Sequence, residues 1–312
     1  MKLIFMGTPE FALPSLKILA ESEKHEVALV ITQPDKPKGR GLHLEHPPVK
    51  IMAIQYDIPV MQPQKIKGNM EVIKAFEQLR PDAAIVVAYG RLIPPELLSI
   101  PPKGFINVHA SLLPALRGAS PINHAILSGG EKTGISIMKL DEGLDTGPVY
   151  ESREIEIGRD DAIALSKRLS ATGAELLESV LDRIESGSIK PVPQDESAAT
   201  YAPLLKKEDG LIDWNRNATK IESMVRGLLP WPCAYTDMQG KMLKILSAQI
   251  EETPHGFPPG TMIKEASRLR IACGNGFVIP QTLQLEGKQA MDAKSFANGL
   301  KVKEIILGGL SR

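Results

Sequence analysis

The sequence predicts an α/β protein: an open, mostly parallel, Rossmann-like sheet followed by an OB-like β-barrel domain. Three observations carry this. Over the first two-thirds of the 312 residues, short apolar runs alternate with helix-length amphipathic segments, the pattern of a parallel sheet covered by helices. The stretch SGSIKPVPQDESAATYAPLL, rich in Pro, Ser and Gln, then breaks the alternation, as a chain crossing a domain boundary does. Beyond it, glycine turns between short apolar runs replace the helices, which suits a small barrel.

In order along the chain, KLIFM, EVALVITQ, DAAIVVA, FINVHAS and GISIMKLD read as strands, being short, rich in Ile and Val, and bounded by Gly, Pro or Asp. They are apolar on both faces, as strands buried from both sides are. Residues 11–21, 71–79 and 121–127 have helical character. In MGTPEFA, Gly7 is expected to permit a sharp turn, with Thr8 as N-cap and Pro9 as first helical residue. SREIEI adds a late strand. A long helix is expected over 161–186, where Leu165, Leu169, Leu176, Leu177, Val180, Leu181 and Ile184 recur at three- and four-residue spacing. After a helix near 219–228, hairpins are expected to turn at Gln239-Gly240 and at Gly274-Asn275-Gly276. The expected division is a Rossmann-like catalytic domain over 1–189, a linker over 190–207 and a barrel domain over 208–312.

Composition narrows the function classes. No apolar run approaches the ~18 residues of a membrane span, and the apolar start of MKLIFMGTPEF is too short for a signal-peptide core, so a cytoplasmic protein is expected. Cys233 and Cys273 form no CxxC, and the six histidines show no metal-ligand spacing, so no metal is expected. Only Gly7 stands where a dinucleotide fingerprint needs three glycines, which argues against a nicotinamide enzyme. Formal charge is balanced overall, but from Lys206 onward 15 basic residues face 11 acidic ones, leaving +4 there and −4 before it. That asymmetry hints at a polyanionic partner, although a solvated surface explains it nearly as well.

Three segments can carry chemistry. INVHASLLPALRGASP, residues 106–121, begins as a buried strand and sets Asn107 and His109 two residues apart, hence on one face. They stand at the strand's C-terminal end, where open α/β sheets bind ligands. A hydrogen-bonded core histidine is the plain alternative. LDEGLDTGPV, residues 140–149, follows the next strand and is expected to bring Asp141, Glu142 and Asp145 to the same end of the sheet. It contains one Asp-Thr-Gly, whereas aspartic-protease chemistry needs two carboxylates sharing a proton. No Ser or Cys nucleophile accompanies the set, so covalent catalysis is disfavoured and direct transfer between two bound substrates is expected. QPDKPKGRGLHLEHPPVK, residues 33–50, is a long basic loop carrying Lys36, Lys38, Arg40 and Lys50; such a loop can clamp a phosphate backbone or merely be solvated.

With these residues in hand, Asn107-x-His109 followed by SLLP, RGASPI and DEGLDTG resembles the formyltransferases that use 10-formyltetrahydrofolate. MGTPEFA, QPDKPKGRG, VVAYGRLIP, DGLIDWNRNATKI and RGLLPWPCAYT extend the resemblance over essentially the whole chain, to the methionyl-tRNA formyltransferase branch of that family. The resemblance implies the formyltransferase fold and formyl transfer from 10-formyltetrahydrofolate, a co-substrate, to the α-amino group of methionyl initiator tRNA, for translation initiation. It implies Asn107, His109 and Asp145 as catalytic residues. Folate would be bound by Ser111, Leu112, Leu113 and Pro114, by Val87, Tyr89, Gly90 and Leu92, and by Gly143 and Leu144. Lys36, Lys38 and Arg40 would contact tRNA, together with the basic C-terminal domain of a monomeric enzyme. The sequence departs from the family where Ala115 and Leu116 follow SLLP, at Ser120, and where Leu42 and His43 follow Gly-Arg-Gly. Transfer to a small amine or nucleotide-sugar, hydrolysis of the formyl donor, and folate or RNA binding without turnover are the rival readings. An acid/base group beside the formyl position counts against the last.

Overall fold

The computed structural model describes residues 1–38, 43–266 and 268–308. Its strands in chain order are β1 (Lys2–Gly7), β2 (Glu26–Ile31), β3 (Lys36–Lys38), β4 (His43–Glu45), β5 (Val60–Met61), β6 (Ala83–Val87), β7 (Phe105–His109), β8 (Lys132–Lys139), β9 (Val149–Glu156), β10 (Ala234–Met238), β11 (Lys241–Glu251), β12 (Thr261–Glu265), β13 (Arg268–Ala272), β14 (Phe277–Leu285), β15 (Met291–Asp292) and β16 (Glu304–Ile306). The helices are α1 (Leu13–Ala20), α2 (Pro48–Gln55), α3 (Met70–Leu79), α4 (Pro95–Leu98), α5 (Pro121–Leu127), α6 (Ala162–Glu185), α7 (Ala218–Gly227) and α8 (Ala293–Gly299). None is long and apolar enough to cross a membrane, among the described residues.

Two compact units emerge. The first comprises residues 1–121, 132–156 and 166–203; the second comprises 122–131, 157–165 and the chain from Leu204 on. The segment expected to be a linker therefore runs with the first unit as far as Pro203. It does so because residues near Arg117 bond to it along the backbone: Arg117 N–H donates to Thr200 O (2.9 Å) and Ala202 N–H donates to Arg117 O (2.7 Å).

The first unit is built on a sheet ordered β5-β2-β1-β6-β7-β8-β9. The strands from β5 to β7 run parallel and β8 and β9 are antiparallel. Leu3, Ile4, Phe5 and Met6 of β1 are fully buried, because both faces of the central strand are covered. Helix starts follow side-chain chemistry. Asn69 caps α3 by accepting from Glu71 N–H (3.0 Å) and Val72 N–H (3.2 Å), and Asp161 caps α6 by accepting from Ile163 N–H (3.0 Å) and Ala164 N–H (2.8 Å). Along α6, Leu165, Leu169, Leu176, Leu177, Val180 and Leu181 are all fully buried, each such burial being worth about 1.5–3 kcal/mol. Gly173 lets this helix press on the sheet: a Cβ there would lie 2.8 Å from Val108 Cγ1.

At the first strand-to-helix connection the expectation needs correction. A short 3-10 turn, Glu10–Ala12, precedes α1, with Pro9 at its N-cap position. Thr8 caps nothing; its hydroxyl donates to Tyr89 O (3.2 Å). Gly7 is there for space, since a Cβ would meet the Phe5 ring at 2.8 Å and Ala12 Cβ at 2.9 Å.

In the second unit an antiparallel sheet is ordered β10-β11-β14-β13-β12-β16, with β15 beside β14. It curls until Asp237 of β10 meets Gly308, just past β16: Asp237 N–H donates to Gly308 O (2.8 Å) and Gly308 N–H to Asp237 O (3.1 Å). The hairpin at Gln239 (φ 55°) and Gly240 (φ 80°) has both central residues left-handed, the conformation that matches strand twist in a two-residue turn. Inside lie Trp214, Ile221, Val225, Leu243, Ile271, Val278 and Leu283. Cys233 and Cys273 are unpaired and buried, and burial pushes both thiols up, so neither is poised as a nucleophile.

Candidate functional site

β7 is buried along its whole length. Phe105 joins the apolar cluster on one face, and Asn107 and His109 follow it on that face by the two-residue period. Both remain nearly buried, at 8% and 6% exposure. The Asn107 amide has no hydrogen bond to any described side chain or backbone group, whereas the backbone of β7 pairs with β6 over Phe105–Asn107 and with β8 over Ile106–His109. His109 Nε2 lies 3.1 Å from Leu116 O; a carbonyl can only accept, so that nitrogen carries a proton. Its Nδ1 faces Asp145 Oδ2 at 3.7 Å, a separation longer than a hydrogen bond.

Asp145 arrives by a different route from the one expected. β8 runs antiparallel to β7, with Lys139 level with Ile106, so the following loop leaves from the opposite end of the strand and folds back to His109. Local bonds shape that return. Asp141 Oδ1 accepts from Gly143 N–H (3.0 Å) and from the Thr146 hydroxyl (2.7 Å). Gly147 lies so close to β8 that a Cβ would overlap the Lys139 carbonyl oxygen. Asp145 itself is left-handed (φ 55°), a conformation held by its surroundings at a cost of order 1–3 kcal/mol. Its Oδ2 accepts from Gly118 N–H (2.8 Å). Asp141 is thus a turn former and Glu142 is exposed.

The loop from Ser111 to Ser120 supplies the other wall. Ser136 donates to Ser111 O (2.7 Å) and accepts from Leu113 N–H (3.0 Å). Leu112 packs on Gly134 of β8, where a Cβ would lie 2.5 Å from it. Leu113 and Pro114 are half-buried. On β6, Val86 rather than Val87 pairs with Asn107; Val87 is fully buried on the other face. Tyr89 is 1% exposed and its carbonyl accepts from Gln33 Nε2 (2.9 Å). Gly90 is left-handed (φ 79°) and abuts that same amide. Leu92 and Leu144 are open to solvent, at 72% and 50%, and Gly143 is exposed.

The basic loop is a hairpin. Lys36 pairs with Glu45 and Lys38 with His43, while Arg40 lies outside the described residues. Asp35 holds its base, accepting from Gln62 (2.7 Å), Lys50 (2.7 Å) and His46 (2.7 Å), so Lys50 is committed to an ion pair. The Gln62 bond, then Lys50, hold the Asp35 carboxyl at about 2. A carboxyl depressed in the folded state contributes stability that is full above its unfolded value, near 4, and lost as pH falls through about 2. The clamp is therefore intact at neutral pH. Asp35→Asn is expected to raise tryptic cleavage after Lys38 severalfold at pH 7.5; an unchanged digestion rate would mean that other contacts hold the hairpin.

Among the described residues one cluster has metal-ligand spacing: His25, Asp182 and Glu185. Two ammonium groups already serve it, Met1 against Glu185 (3.3 Å) and Lys24 against Asp182 (2.6 Å).

Sequence reasoning did not find Gln194. Its amide nitrogen donates to Asp145 O (2.8 Å) and Gly147 O (2.7 Å), across 49 and 47 residues of chain, with no periodic signal to announce it.

The chain matches the formyl transferase model over residues 1–181 and the formyl transferase C-terminal domain model over 204–301. It is 47% identical over 303 residues to the methionyl-tRNA formyltransferase of Thermodesulfovibrio yellowstonii, covering 97% of each chain. Among solved structures it is similar in fold to methionyl-tRNA formyltransferase from Clostridium thermocellum (TM-score 0.56, 17% identity, 81% of this chain and 95% of that one). It is similar too to an N-formyltransferase from Helicobacter canadensis in complex with folinic acid and dTDP-3-aminofucose (TM-score 0.65, 18% identity, 90% and 98%). Two domain matches in order and near-half identity over almost the full length leave one conclusion: the chain belongs to the formyltransferase family, in its methionyl-tRNA formyltransferase branch.

Proposed function

We propose that this chain transfers the formyl group of 10-formyltetrahydrofolate to the α-amino group of methionine on initiator tRNA, as a monomer in the cytoplasm. The observation that carries the reading is the convergence of Asn107, His109 and Asp145, from one strand and one loop, on a single corner. The amine, with an ordinary pKa of about 7.7–8.0, attacks the formyl carbon. The Asn107 amide, which bonds no described residue, and the His109 Nε2–H, once it leaves Leu116 O, donate to the oxygen on which charge develops. The His109–Asp145 pair accepts the proton leaving the amine and returns one to the departing folate nitrogen. Folate would lie against Ser111 to Pro114, Val86 to Leu92, and Gly143-Leu144. Of these, Tyr89 offers little beyond buried packing, and Leu92 and Leu144 offer exposed apolar surface.

For the tRNA, the reading divides the chain into a catalytic part and a basic C-terminal barrel, with Lys36 and Lys38 of the hairpin, and Arg40, as phosphate contacts. Arg40→Gln is expected to raise KM for methionyl-tRNA, leave KM for the folate unchanged, and lower the slope of log affinity against log salt by about 1. A collapse of folate binding would refute that placement of the hairpin.

The direct test is formyl transfer from 10-formyltetrahydrofolate to methionyl initiator tRNA, beside methionyl elongator tRNA and water alone. Formylation of the initiator alone supports the whole reading. Turnover with water alone would keep the Asn107–His109–Asp145 corner and remove the tRNA.

A further inference from the structure

We infer that Gln194 is a positioning residue for Asp145, and that the segment 194–202, rather than tethering one unit to the next, holds the reactive corner in register. The inference rests on the reading of Asp145 given above.

Each polar atom of the Gln194 side chain is used. The amide nitrogen donates to Asp145 O (2.8 Å) and Gly147 O (2.7 Å). The amide oxygen accepts from Arg117 Nε (3.1 Å) and Nη2 (2.8 Å). One carboxamide thus joins the turn that carries Asp145 to the loop that carries Leu116 and Gly118. That second loop touches both reacting side chains: Leu116 O bonds His109 Nε2 (3.1 Å) and Gly118 N–H bonds Asp145 Oδ2 (2.8 Å).

The same loop is pinned to residues 200–202. Leu116 N–H donates to the Thr200 hydroxyl (2.8 Å), Arg117 exchanges backbone bonds with Thr200 and Ala202, and Ser120 N–H donates to Ala202 O (3.2 Å). Two backbones in this corner are left-handed without being glycine, Leu116 (φ 59°) and Asp145 (φ 55°). Such conformations persist only where neighbours over-determine them, and the Gln194 amide supplies one bond at Asp145 and a second two residues on, at Gly147. His109 Nδ1 and Asp145 Oδ2 stand 3.7 Å apart, so a small displacement of the Asp145 turn decides whether a proton can pass between them. Misplacement by about 1 Å can cost ~10² in rate.

Gln194→Glu separates positioning from simple anchoring. The carboxylate keeps the acceptor that Arg117 needs and loses both donors to the carbonyls of the Asp145 turn. The expected result is a kcat lower by about 10- to 100-fold, KM values for both substrates within about twofold, a melting temperature lowered by the two orphaned carbonyls, and a displaced acidic limb of the kcat–pH profile. Gln194→Met, of similar length but without polar atoms, should lose rate alike and covers the case in which the glutamate variant does not fold. Combined with Asp145→Asn, the glutamate substitution should cause little further loss, because the group that it positions is already disabled. Full activity in Gln194→Glu beside a slow Asp145→Asn would overturn the positioning role alone. The same factor lost in both backgrounds would overturn it too, by showing that Gln194 acts elsewhere. A fast Asp145→Asn would overturn the reading of Asp145 itself, and this inference with it.

Discussion

Asn107→Ala is expected to lower kcat for formyl transfer by about 10²–10³, the usual worth of one donor to a developing oxyanion, with little change in stability. The pairing of those two outcomes is what makes the test decisive. A buried amide whose job was structural would be hydrogen-bonded, and removing it would leave a partner unsatisfied at about 1–3 kcal/mol. The Asn107 amide bonds no described residue, although the residue is only 8% exposed, so alanine removes no internal bond. His109→Ala should match the loss of rate and also orphan Leu116 O, its 3.1 Å partner, so its melting temperature should fall where that of Asn107→Ala does not. Single-turnover transfer to methionyl initiator tRNA measures the first effect and thermal denaturation the second. A full rate in Asn107→Ala would return the residue to the status of a filler at a strand end.

Arg117→Ala is expected to be the most destabilising single change in the first unit outside its apolar core, by roughly 3 kcal/mol from the cavity and the orphaned acceptor together. Arg117 is fully buried. Its guanidinium donates to Gln194 Oε1 and to both Glu196 oxygens (2.8 Å and 2.7 Å), and the Glu196 bond, ahead of the opposing effect of burial, raises its pKa. For a unit of this size that loss corresponds to a melting temperature lower by about 6–12 °C. Lysine should not restore it, since a point charge cannot serve three oxygens in one plane. Glu196 is 68% exposed, so Glu196→Ala should lower the melting temperature far less, its water-facing side being already solvated. Equal losses from the two variants would mean that the ion pair, rather than the buried stem and the Gln194 bonds, carries the energy.

What was legible in the sequence follows from short-range rules. The strands, the long helix α6 and the Gln239-Gly240 turn are set by periodicity and by glycine at positive φ, which act within a few residues. The candidate trio was legible for a related reason: Asn107 and His109 are one strand period apart, and Asp145 sits in a turn whose composition is itself unusual. The misreadings have equally local causes. Thr8 looked like an N-cap because the short 3-10 turn before α1, with Pro9 at its N-cap position, leaves no periodic mark, and the crowding of Gly7 by Phe5 and Ala12 appears only once the chain turns from β1 into α1.

By itself, then, the sequence determined the α/β class, the barrel that follows and the family, and it singled out the candidate trio, because each is written in residue types and near-neighbour spacing. Only the tertiary structure decided how those side chains are held. The antiparallel entry of β8 sends the Asp145 loop back along β7, and Arg117 and Gln194 meet across 77 residues. The segment expected to be a linker thereby packs as part of the first unit as far as Pro203. Hydrogen bonds between distant segments depend on where the whole chain has been brought, and no local pattern encodes that.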